Sequence, residues 1–203
     1  MEKQNWKKNL FEGVVCEMAV KRIFDEDGDL MRELLMGERD KWSWTCEDAK
    51  IDEAWDLNLV VDNTQAFYSV EVKSARNGGA YSNFFAETRL VASNTRPEFL
   101  ASVPTFIFYV DLLNGSQHVY DGAKFVKAVK AHEEKAFTNR FGTAEGILFP
   151  IDSKEFGHMA SYTPDFKFTD VVLHYRQNIQ DKMNLENKKG SQHKVVDGMK
   201  TLS

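Results

Sequence analysis

A chain of 203 residues, 42% of them apolar, with four prolines and twelve glycines scattered rather than clustered, suits one domain around one sizeable core. Its net charge of −5 excludes a uniformly basic nucleic-acid-binding surface, but the acid is local: residues 25–56 carry twelve acidic and four basic side chains, residues 57–96 only three and four. No apolar run reaches the roughly 20 residues of a membrane span, the opening MEKQNWKKNLFEG lacks a signal core, and Cys16 and Cys46 fit free thiols better than a disulfide framework, so a soluble cytoplasmic protein without membrane association is expected.

Residues 4–24 place Leu10, Val14 and Met18, with Phe11, Val15 and Ile23 one turn away, at helical spacing, which predicts an amphipathic helix. It ends at the acidic stretch DEDGD, a second short helix is predicted from about Asp29 to Met36, and KWSWT reads as a short strand with Trp42 and Trp44 on one face. AWDLNLVV (54–61) and AFYSVEVKSA (66–75), flanking Asp62-Asn63, predict an antiparallel hairpin. NGGAYSN (77–83) reads as a loop and FFAET as a strand or strand edge. PTFIFYV (104–110) has the unbroken apolar character of a buried central strand, with GSQHVYD (115–121) as its hairpin partner. A helix over 122–137 and a strand over 146–152 follow, and 168–183 could be a strand or a closing helix. The order predicts an α/β fold, a mixed central β-sheet flanked by helices, as a single domain over 1–183 with a polar, flexible tail over 184–203.

The hairpin carries the chemistry. Alternate strand residues share a face, so Glu71 and Lys73 project together, and with the turn at 62–63 residues summing to about 125–127 oppose one another, which brings Asp56 near positions 69–71. Two carboxylates alone would repel one another beside an apolar sheet. A divalent cation removes that cost, and Mg²⁺ or Mn²⁺ takes one or two carboxylates, waters and a phosphate oxygen, with the Val72 carbonyl as a further ligand. Lys73 would orient or deprotonate the water and offset phosphate charge. Arg76, Tyr81, Asn83, Arg89 and Arg96 follow the hairpin and could line a phosphate-binding cleft, Tyr81 by stacking. The row Lys124, Lys127, Lys130 reads as a solvated helix face, and the five histidines show no paired metal spacing.

Asp56, then fourteen residues, then Glu71-Val72-Lys73 resembles the signature of the PD-(D/E)XK nuclease superfamily, with Trp55 where that pattern often has proline. Gly13-x-x-x-Glu17 is similar to the Gly-x-x-x-Glu helix of the junction resolvases in that group. The resemblance covers roughly residues 10–90. It implies a restriction-endonuclease-like core, a Mg²⁺- or Mn²⁺-dependent deoxyribonuclease acting on recombination, repair or foreign DNA, Glu17 completing the metal site (Glu12 as second choice), and a possible homodimer. The run NGGAYSNFFAET resembles a stretch of some phage-type members, which nominates Glu87 as accessory acid and Asn83 as substrate contact. The competing expectation is a non-catalytic module on the same fold that binds nucleic acid or protein through the acidic segment 25–56.

Overall fold

A computed structural model describes residues 2–26, 44–50, 53–61, 67–75, 82–112, 115–139 and 142–163, with the backbone alone at 2–11, 26, 44 and 61. The predicted helix at 29–36, the turn at 62–63, the segment 168–183 and the tail 184–203 lie outside the described residues, as do Trp42, Arg76 and Tyr81. The compact unit that holds everything below is Met1–Asp165.

Helix α1 spans Glu2–Glu26. Its buried stripe is Val15, Cys16, Ala19, Val20 and Ile23. The predicted stripe through Val14 and Met18 is therefore rotated: both are only half-buried, because the small side chains of Cys16 and Ala19 let that side of the helix lie closest to the sheet.

The strands are β1 (Trp44–Asp48), β2 (Leu57–Val61), β3 (Phe67–Ala75), β4 (Asn83–Leu90), β5 (Phe106–Asp111), β6 (Gln117–Asp121), β7 (Phe137–Thr138), β8 (Ala144–Pro150) and β9 (His158–Tyr162), with helix α2 at Gly122–Ala131 between β6 and β7. They form two sheets rather than one: a six-stranded sheet in the order β1-β2-β3-β5-β6-β9, and a three-stranded sheet β4-β8-β7. The strand predicted at 146–152 thus leaves the central sheet. The first sheet is mixed, β3 running parallel to β5 and all its other neighbours antiparallel. The hairpin register is as predicted, Leu57 opposite Val70 and Asn58 opposite Ser69. Every residue of β5 is buried, as its unbroken apolar run foretold.

The register between β3 and β5 sets Val70 and Val72 beside Phe106 and Phe108. That face meets α1, whose Phe24 ring lies 5.9 Å from Phe108. Glu71 and Lys73 pair with Ile107 and Tyr109 on the opposite face, which α2 and the second sheet cover. There Phe125 of α2 sits 5.2 Å from Phe149 of β8 and 5.5 Å from Tyr120 of β6. A fully buried aromatic ring of this kind contributes about 1.5–3 kcal/mol. Helices α1 and α2 therefore flank the sheet on opposite faces.

Helix α2 starts where Asp121 accepts a hydrogen bond from the Lys124 N–H at 2.9 Å. It ends at Ala131 and not at 137, since His132 leaves helical geometry to reach Glu155 at 2.7 Å and stack on Phe156. Lys124, Lys127 and Lys130 are exposed along its outer side, as the spacing implied. Gly122 is pinned against the strand crossover: its N–H donates to the Thr105 carbonyl, and a Cβ there would overlap the Pro104 carbonyl oxygen. Gly122→Ala should accordingly destabilise the fold by about 1–3 kcal/mol, although alanine is the better helix former, and the denaturant midpoint will report it. Among the described residues no helix is long and apolar enough to cross a membrane.

Candidate functional site

Asp56 ends the bend before β2, and its backbone N–H donates to the Val70 carbonyl at 3.0 Å. Its carboxylate turns onto β3 and accepts a hydrogen bond from the Val72 N–H at 2.7 Å. Val72 thus meets Asp56 through its N–H. Directly across, Glu71 is buried and ion-paired with Lys73. Asp56, Glu71, Lys73 and Glu87 line one cleft of about 240 Å³, closed at its sides by Trp55, Pro97 and Glu98.

Two carboxyl groups are held out of their ordinary range. Burial, and then the charges of Asp56, Asp48 and Glu71, push Glu17 up to about 7 against the pull of Lys21. Burial likewise carries Glu71 to about 7, with Lys73 opposing and Asp56 and Glu87 adding to the rise. Asp56 is raised by burial, though the Val72 N–H and Lys73 both favour its charge. Burial on its own would lower the Lys73 pKa, but Glu71, Asp56 and Glu87 outweigh it and the net shift is upward. Lys73 is consequently an ammonium at neutral pH. Its Nζ also lies 4.8 Å from the Phe99 ring centre, a cation–π contact that fixes the chain in place.

Glu87 reaches the cleft by plain strand alternation in β4, which buries Phe84, Ala86 and Thr88 and turns Phe85 and Glu87 the other way; a bulge follows, with Glu87 opposite Gly146 and Arg89 opposite Glu145. Arg89 forms an ion pair with Glu145 at 3.0 Å and does not line the cleft. Arg96 similarly engages Glu133. Asn83 lines a second, larger cleft that adjoins the first, and Glu12 is half-buried on α1. Both thiols are free and pushed up by burial, so neither is a ready nucleophile.

The sequence reading therefore finds Glu17, Asp56, Glu71, Lys73 and Glu87 in one electrostatic neighbourhood. It missed Phe99, Trp55 and Glu98, for which the local pattern carries no chemical signal. It also missed that His118 and His158, distant in sequence, share Ser161 Oγ as hydrogen-bond partner at 2.8 and 3.0 Å across β6 and β9. Among the described residues no three His, Cys, Asp or Glu side chains form a ready-made metal ligand group. Compared with known families, curated proteins and solved structures, the chain matches none.

Proposed function

We propose that this chain is a metal-dependent DNA nuclease that hydrolyses phosphodiester bonds, built on a restriction-endonuclease-like core. The observation that carries the reading is the meeting of Asp56, Glu71 and Lys73 in a single cleft, with Glu17 and Glu87 close enough for their charges to act on it. Three buried or half-buried acids with raised pKa values and one ammonium make a site short of positive charge. Hard carboxylate oxygens are the donors Mg²⁺ and Mn²⁺ prefer, and two of them with waters and a substrate phosphate suffice. Asp56 and Glu71 would hold the cation, and Glu17 would order its hydration shell. Such a cation, when bound, supplies Lewis acidity at the phosphate and acidifies water.

The chain's own residues divide the rest of the work. Lys73, an ammonium before a cation binds, would donate a hydrogen bond to a phosphate oxygen, offset charge in the transition state and, once the cation balances Asp56 and Glu71, orient the attacking water or take its proton. The Val72 N–H holds the Asp56 carboxylate in one orientation. Glu87 lines the same cleft as Glu71 and would limit how the strand enters. Because the protein is acidic overall, binding rests on few phosphate contacts and should weaken with salt accordingly.

Plasmid and linear DNA incubated with the purified protein should be nicked or degraded with Mg²⁺ or Mn²⁺ and left intact with EDTA. Asp56→Asn should slow that cleavage by about 100-fold or more. A wild-type protein inert on every substrate with either metal would replace this reading with the non-catalytic one, in which the acidic segment 25–56 meets a basic partner.

A further inference from the structure

We propose that the larger cleft beside Lys73 is a subsite for one unpaired nucleobase, which makes the substrate a strand that is single, frayed or flipped out next to the phosphate being cut. The placement of that phosphate rests on the nuclease reading; the base subsite itself rests on the cleft.

Lys73 and Glu87 line both clefts, so a phosphate held at Lys73 leaves its neighbouring nucleoside at the mouth of the larger one. That cleft has about 580 Å³, the size range of a pocket for a small planar ligand. Its floor is the stacked pair Phe84 and Tyr109, with ring centres 4.8 Å apart and planes 9° from parallel. Phe85 and Leu148, opposite one another on β4 and β8, form the wall, and Leu148 is 56% exposed. Phe85 is held rather than loose: its ring lies over Gly146, where a Cβ would collide with it, and Phe137 meets it edge-on at 5.8 Å. A fixed aromatic wall beside a cation is what base stacking uses, and it tolerates any base because each has a π-face. The Tyr109 hydroxyl is already spent on the Phe85 carbonyl, so the exposed amide of Asn83 is left to read the base edge.

Gly13 of α1 points to an occupant independently. Inside a helix glycine is a poor choice, and packing does not demand it, since a Cβ there would have Glu17 Oε1, at 3.9 Å, as its nearest neighbour. What the missing side chain keeps open is the cleft it lines.

The test uses the full chain, in EDTA at low salt, with a short single-stranded oligonucleotide carrying 2-aminopurine and the same oligonucleotide with an abasic residue at that place. Binding should quench the 2-aminopurine, and the abasic strand should bind at least tenfold more weakly. Gly13→Leu, which fills the cleft yet favours the helix, and Phe85→Ala should each abolish the quench and reduce intact-strand affinity to the abasic level, with melting curves verifying that both variants fold. Equal affinity for intact and abasic strands, or full quenching by Gly13→Leu, overturns the subsite. Cleavage of plasmid DNA in Mg²⁺ is scored separately. Quenching without cleavage removes the nuclease reading and keeps the subsite; cleavage without base dependence does the reverse. Preference for an apolar peptide over the oligonucleotide would overturn the subsite as well.

Discussion

On the nuclease reading, Lys73→Ala is expected to lower metal-dependent DNA cleavage by about 10²–10³-fold while leaving the protein folded. The ammonium is three-quarters covered, ion-paired to Glu71 and seated against Phe99. Removing it takes away the one cation among the described residues that line the cleft and leaves Glu71 beside Asp56 and Glu87. Glu71 can respond by keeping a proton, since burial already carries it to about 7, so the structural penalty stays limited at neutral pH. Lys73→Arg separates the two roles. A guanidinium preserves the ion pair and hence the melting temperature, but its planar fork cannot occupy the position of a compact ammonium, so cleavage should remain low. Circular dichroism and a plasmid-nicking assay on the same preparations decide it. Cleavage by Lys73→Ala within threefold of wild type would remove Lys73 from the mechanism.

The pair Glu71 and Lys73 was legible because strand periodicity is local: two residues apart on a β-branched run is enough to set them on one face. Asp56 followed from the hairpin register, which the alternation of the two runs fixes, and the observed pairing of Leu57 with Val70 is the predicted one. Buried β5 announced itself by its unbroken apolar run. The misses share a different cause. That β8 joins β4 and not the central sheet depends on Phe84 and Phe149 packing onto Tyr109, contacts between residues far apart in the chain. The early end of α2 depends on Glu155 and Phe156 attracting His132. The rotation of the α1 stripe depends on two small residues whose hydrophobicity a pattern search undercounts. Arg89 and Arg96 looked free to bind phosphate because their partners, Glu145 and Glu133, come from elements distant in sequence.

The stability of the metal-free protein should fall as pH rises through the window set by Glu17 and Glu71. In the unfolded chain each carboxyl ionises near 4.5, whereas in the folded chain each keeps its proton until about 7. The folded state therefore binds more protons between those values, and the stability present below about 4.5 is lost as pH climbs past 7. Glu17→Gln removes one such group, and the neighbours that raise it, Asp56, Asp48 and Glu71, gain nothing from its charge. Its melting temperature should match wild type at pH 4.5 and exceed it at pH 8. Glu17 is half-buried, so solvent screening cuts the gain to about 1 kcal/mol, or roughly 2–4 °C for a domain of this size. On the nuclease reading the same variant loses activity, the trade expected where a site is held against its own stability. Excess Mg²⁺ should stabilise wild type at pH 8, where the acids are ionised, and have little effect at pH 5, since a cation binds the carboxylate form. Asp56→Asn should blunt that rise. A melting difference between Glu17→Gln and wild type that is the same at both pH values would mean that Glu17 ionises like any surface carboxylate, and the electrostatic account of the cleft would fail with it.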